Sequence, residues 1–160
     1  MIREMKASDY DAMMKIYSKS LERGNVTFRT ECLPYDEWDR THIQECRFVY
    51  EKDDKVVGFA MLSPTSAREC YRGVVEVSVY VDDSCQNMGI GTALLTKLME
   101  AAREAGYWTL YSSIFAVNTA SVMLHEKCGF RIIGTREKIA KDRFGNWQDA
   151  ITMEWRNDIV

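Results

Sequence analysis

Apolar residues recur at helical spacing through Tyr10, Met13, Met14, Tyr17 and Leu21. This predicts a first helix opening at Ser8 as N-cap, with Asp11 three residues on, and stopping at Gly24. The period vanishes over 25–33, a stretch long enough to read as functional rather than as a spacer. Pro34 then leads into a short second helix carrying Trp38. Phe48-Val49-Tyr50 and the run Val56–Leu62 flank Asp53-Asp54, the pattern of a β-hairpin. The strongest strand is Val74–Val81: alternation puts Val75, Val77, Val79 and Val81 on one face and Glu76, Ser78 and Tyr80 on the other. A helix follows with Leu94, Leu95, Leu98, Met99, Ala102 and Ala105 on its buried stripe, ending at Gly106. A strand over Thr109–Ile114 comes next, then a helix capped by Asn118 or Thr119 and closed at Gly129. Strands near Arg131–Thr135 and Asp149–Trp155 finish the chain. The order α, α, β, β, β, α, β, α, β, β predicts a mixed α/β sheet with helices on its faces.

The 160 residues fit one domain, 1–160, large enough to be stable without a staple. A net charge of −3 argues against a general nucleic-acid binder, which needs a basic surface. No apolar run approaches the ~20 residues of a membrane span. The opening Met1-Ile2-Arg3-Glu4-Met5-Lys6 mixes charges at once, unlike a signal peptide. Five cysteines without a Cys-x-x-Cys pair, and only His42 and His125, give no zinc-ligand grouping, so no metal is expected. Reduced thiols point to the cytoplasm.

Between the strand ending at Val81 and the helix starting near Gly91 lies Gln86-Asn87-Met88-Gly89-Ile90-Gly91-Thr92. Two glycines at a helix N-terminus bring backbone N–H groups to converge, and the helix dipole favours an anion there; a pyrophosphate is the natural guest. A plain strand-to-helix turn uses glycine in the same way. A Rossmann fingerprint would need glycine where Leu94 stands, and a P-loop would need Gly-Lys-Ser/Thr where the chain has Gly91-Thr92-Ala93.

Gln86-x-x-Gly89-x-Gly91 after a strand resembles the acyl-CoA loop of the GCN5-related N-acetyltransferases (GNAT). The segment from Asn118 through Ala120, Ser121, Leu124, His125, Glu126 and Lys127 to Gly129-Phe130 resembles that family's second conserved block. Three further segments resemble its phosphinothricin (or methionine sulfoximine) acetyltransferase branch. They are Thr27–Glu31, Tyr71-Arg72 leading into the Glu76 strand, and Phe144-Gly145-x-Trp147-x-Asp149. One departure is Arg143, where the branch usually has lysine.

The resemblance implies a twisted, mostly antiparallel mixed sheet with a splayed central strand pair. It also implies transfer of an acetyl group from acetyl-CoA to an amine by direct attack in a ternary complex. Glu76 stands on the polar face of a valine strand, where partial desolvation raises a carboxylate toward the range useful to a general base. The surface-carboxylate alternative rests on the same position. His125 is the candidate acid for the leaving thiolate, or else a packed helix residue. Val79, Tyr80 and Val81 are expected to offer backbone groups to the pantetheine arm. Gln86, Asn87, Met88, Gly89, Ile90, Gly91 and Thr92 are expected to hold the pyrophosphate, with Asn118 and Lys127 also on the cosubstrate. Thr27, Phe28, Arg29, Tyr71 and Arg72 are expected around the acceptor, an amino-acid analogue of the phosphinothricin, methionine sulfoximine or methionine sulfone kind. A homodimer with the Trp147 region near the partner is implied as well. The alternatives are a protein N-terminal or polyamine acetyltransferase, and a non-catalytic acyl-CoA-binding regulator.

Overall fold

A computed structural model describes residues 1–160. Its centre is a seven-stranded sheet in the order β1-β2-β3-β4-β5-β7-β6, antiparallel throughout except between β4 and β5. The strands are β1 (Ile2–Glu4), β2 (Phe48–Lys52), β3 (Lys55–Pro64), β4 (Val74–Val81), β5 (Thr109–Phe115), β6 (Arg131–Lys141) and β7 (Trp147–Arg156). The helices are α1 (Tyr10–Arg23), α2 (Tyr35–Thr41), α3 (Ile90–Glu104) and α4 (Thr119–Lys127). The predicted mixed sheet is therefore present, with one more strand than the periodicity reveals.

The alternation along β4 separates two cores. Val75 and Val77 join Leu94, Leu95, Leu98, Leu110 and Met153 in the larger one, beneath α3 and α4, and Val79 and Val81 pack against its edge. On the opposite face Tyr80 packs against a second core of Met13, Tyr17, Trp38, Phe59 and Met61, which belongs to α1 and α2. Each fully buried leucine contributes about 1.5–3 kcal/mol relative to exposure, so the larger core supplies most of the hydrophobic drive. Asp53 and Asp54 both adopt positive φ in the β2–β3 turn, as a two-residue hairpin requires.

Three features differ from the expectations. Helix α1 does not open at Ser8: a single 3-10 turn spans Ala7–Asp9, and the Asp9 carboxylate accepts the Lys6 N–H (2.7 Å) while the Arg3 guanidinium forks onto it. Strand β1 was invisible because three residues carry no period; it is held as an edge by β2 and by Arg3, whose Nε donates to Glu51. Strand β6 runs to Lys141, well past Thr135, through a bulge between Arg136 and Ala140 where Lys138 takes a positive φ and its N–H donates to Asp149. Its exposed, charged middle hides it from hydropathy.

The parallel pair β4–β5 is short. Its register holds for Val74↔Thr109, Val75↔Leu110 and Glu76↔Tyr111 and goes no further, while β4 stays paired with β3 all the way to Val81. From Val77 onward the β5-facing edge of β4 has no strand partner, which is the splay that the resemblance implies. The closed end is pinned where the Gly73 carbonyl accepts N–H bonds from Trp108 and Thr109, with the Trp108 indole lying over Gly73. A Cβ on Gly73 would sit 2.1 Å from that indole. Gly73→Ala therefore overpacks the joint, and we expect a loss of about 2 kcal/mol in urea unfolding; an unchanged midpoint would mean that the indole moves aside freely.

Candidate active site

Where β4 and β5 diverge, a gap of about 260 Å³ opens, lined by Glu76–Tyr80 from β4 and Ser112–Phe115 from β5. Thr27, Phe28 and Arg29 of the irregular segment after α1 form a wall of this gap, and the Phe28 ring lies 4.3 Å from that of Phe115. The gap leads into a longer cleft of about 650 Å³ between β4, the loop after it, and α4. Behind Glu76, on the α1/α2 face, lies a third and more enclosed chamber of about 180 Å³. Glu76 borders both the gap and the chamber.

Glu76 forms no ion pair and sits half-buried, and this burial pushes its pKa above the ordinary carboxylate value. The cause is desolvation of the charged form, which water would otherwise stabilise. Tyr80 is raised more strongly by desolvation among the packed aromatic rings, with the negative forms of Tyr17 and Glu76 adding to the effect, so its phenol stays protonated. Its ring packs 5.1 Å from that of Tyr17 and 5.2 Å from that of Phe59.

The long cleft ends at the N-terminus of α3. Gly89 is the N-cap in a left-handed conformation (φ 77°), and no side chain caps the first turn, so the amides at the start of the helix face the cleft unclaimed. Gly91 is small for a different reason: a Cβ there would lie 2.7 Å from Leu124 Cδ1, so α4 packs directly onto the first turn of α3. Asn87, Gly89, Ile90, Gly91 and Thr92 line the cleft. The Gln86 side-chain amide donates to the Val81 carbonyl (2.9 Å) and so ties the loop to the strand end. Met88 is exposed and points away, with Lys52 Nζ against its sulfur. Asn118 caps α4 by accepting the Ser121 N–H. Lys127 and Arg23 bring positive charge to the cleft walls. Arg23, an ion-pair partner of Asp83, was not identified from the sequence, since its only signal is a cation in the last turn of a helix.

His125 is buried at the junction of the gap and the long cleft. Its Nδ1 lies 2.7 Å from the Ser121 carbonyl, and because a carbonyl only accepts, Nδ1 carries the proton. Burial lowers the ring's pKa against the opposing pull of that hydrogen bond, so the ring is neutral and its Nε2 bare. In this tautomer His125 offers an acceptor and has no N–H left for a departing thiolate. Tyr71 and Arg72 lie away from the three cavities. Tyr71 is exposed at the end of a 3-10 turn, and the exposed Arg72 pairs with Glu69 (3.4 Å) and lies over the Trp108 ring.

The Acetyltransferase (GNAT) family profile matches residues 10–130. The chain is 34% identical over 154 residues to a phosphinothricin N-acetyltransferase of Streptomyces viridochromogenes, covering 93% of this chain and 83% of that protein. It is 31% identical over 165 residues to an L-methionine sulfoximine/L-methionine sulfone acetyltransferase of Pseudomonas aeruginosa, covering 98% and 94%. Among solved structures, yncA from Salmonella typhimurium, a putative acetyltransferase determined with its cofactor acetyl-CoA, superposes with a TM-score of 0.92 at 26% identity, covering 100% of this chain and 95% of that one.

The raised pKa of Glu76 has a consequence for stability. A group whose folded pKa exceeds its unfolded value favours folding at pH below the unfolded pKa, and that contribution is lost as pH rises through the folded pKa. At pH 8 the desolvated carboxylate therefore opposes folding, and Glu76→Gln should raise Tm. The gain should vanish at pH 4, below the ordinary carboxylate pKa, as read by calorimetric scans; a variant less stable than the parent at pH 8 would contradict the burial argument. Profile, relatives and the strand gap agree, and the chain belongs to the GNAT family of acetyltransferases.

Proposed function

We propose that this protein is a single acetyltransferase domain that moves the acetyl group of acetyl-CoA to the amine of a small amino-acid-like acceptor, with Glu76 as the base. The observation that carries the reading is the gap between β4 and β5, which joins an anion-suited helix terminus at one end to a desolvated carboxylate at the other. The unclaimed amides at the start of α3, together with Arg23 and Lys127, suit the phosphates of acetyl-CoA. The unpaired edge of Val79, Tyr80 and Val81 suits the amides of its pantetheine arm, with a backbone N–H there as donor to the developing oxyanion. That yncA holds acetyl-CoA on the same fold supports this placement.

The acceptor enters as an ammonium ion. Glu76 removes one proton, directly or through a water, and the freed lone pair attacks the thioester carbon. The C–N bond forms, the C–S bond breaks, and the surplus proton on nitrogen passes to the departing sulfur. This route asks no proton of His125, whose neutral ring holds α4 and its acceptor atom in place. Arg29, exposed at the rim and free of any ion pair, is the cation available to an acceptor carboxylate, while Tyr71 and Arg72 stand too far out for that role in the monomer.

Two further statements belong to the proposal. Five unpaired cysteines suit a reducing compartment such as the cytoplasm. The edge strand β6, its turn and the start of β7 expose Ile132, Ile133, Ile139, Phe144 and Trp147, an apolar surface suited to a second copy of the chain.

Thiol release from acetyl-CoA, measured with an amino-acid panel, a peptide with a free N-terminus and spermidine, should show turnover with amino acids alone. Preferred turnover of the peptide or the polyamine would overturn the acceptor class. Glu76→Gln should keep acetyl-CoA binding by calorimetry while turnover falls about 100-fold; full turnover would remove Glu76 from the mechanism. Light scattering should give a mass of twice 18.5 kDa, shifted toward the monomer by Trp147→Lys; a monomeric parent protein would exclude the dimer.

A further inference from the structure

The chamber behind Glu76 holds a group that the chemistry above does not use. Its walls are mixed: Met14, Leu33, Trp38, Phe59 and Met61 supply apolar surface, Thr27, Arg29, Ser63, Glu76 and Ser78 supply polar groups, and His42 is set against the apolar part. The His42 ring stacks on Trp38 at 4.7 Å with 22° between the planes. Its Nδ1 lies 2.7 Å from the Trp38 carbonyl, which only accepts, so Nδ1 bears the proton and Nε2 is a lone-pair acceptor. No protein donor meets Nε2, and it is not sealed from solvent. Burial, together with the charges of Arg47 and Arg29, keeps the ring neutral by lowering its pKa. Arg47 braces the backbone that carries the ring: its guanidinium donates to the His42, Ile43 and Asp39 carbonyls and lies over the Trp38 indole. The acceptor atom is thus held in place before any ligand arrives.

The geometry points to His42 as a specificity-determining residue that selects acceptors whose apolar side chain ends in a hydrogen-bond donor. This rests on the reading above, in which the amine lies at Glu76. From there a side chain extends into the chamber along its methionine and aromatic walls and meets Nε2. A tip carrying N–H satisfies that atom, whereas a tip of the same shape carrying only oxygen acceptors sets lone pair against lone pair. A fixed acceptor atom discriminates against a tip that cannot donate to it, by about the worth of one hydrogen bond where water can still reach the atom.

Methionine sulfoximine and methionine sulfone separate these cases, since they differ at one position, an N–H donor against an oxygen. We expect kcat/KM for the sulfoximine to exceed that for the sulfone by about tenfold, a difference worth one hydrogen bond. His42→Leu should bring the ratio toward one, chiefly by raising KM for the sulfoximine, while His42→Gln, which retains an acceptor oxygen, should keep part of it. Calorimetric acetyl-CoA binding verifies that each variant is folded. A parent enzyme that favours the sulfone, or a ratio unmoved in His42→Leu, would overturn the role of His42 while leaving the acetyltransferase reading intact. Turnover of other amino acids with neither of these two would overturn this inference alone, whereas failure of the parent enzyme to acetylate any amino acid of the panel would refute the amino-acid reading, and this inference with it.

Discussion

A parallel strand pair that stops pairing after three residues leaves main-chain polar groups without partners, and an unsatisfied buried amide or carbonyl is costly. The rest of the molecule is arranged around that constraint. On one side β4 is fully paired with β3 and cannot follow β5; on the other, β5 is fully paired with β7 and cannot return to β4. The sheet thus carries a permanent slot whose exposed edge is suited to an extended ligand with amides of its own. The two cores hold the slot open from both faces: the leucine core under α3 and α4, and the aromatic core under α1 and α2.

The same alternation that makes the cores decides which β4 side chains border the cavities. Val75 and Val77 are buried in the leucine core, whereas Glu76 and Ser78 face the slot and the chamber, and Tyr80 borders both while packing on the aromatic core. A carboxylate in such a position gives up solvation, and it is the same loss of water that raises its proton affinity. Stability and basicity are therefore opposed at this residue.

Most of this was legible in the sequence because it rests on local rules. The valine alternation marked β4 and singled out Glu76, and the glycine pair marked the loop before α3. What could not be read is instructive. Gly91 fits a ligand-approach reading, yet the space beside it is taken by Leu124, a contact 33 positions away in sequence that no motif discloses. His125 is recognisable as a helix residue, but its tautomer depends on the Ser121 carbonyl and hence on the formed helix. Tyr71 and Arg72 precede the Glu76 strand immediately, and sequence adjacency suggested the site; the 3-10 turn and the Trp108 ring carry them outside it. His42 gave no signal because its meaning comes from Trp38 and Arg47 around it.

The Arg143 guanidinium donates to the Leu21 carbonyl (2.7 Å), and Gly24 leaves just enough room for Phe144 beside it. The tip of the β6–β7 hairpin is thereby clamped to the last turn of α1, immediately ahead of the segment carrying Thr27, Phe28 and Arg29. One face of that tip is apolar and outward, while the other grips the root of the segment that walls the gap. The outer surface of the hairpin tip is therefore mechanically continuous with the rim of the gap, and a push on one is transmitted through α1 to the other.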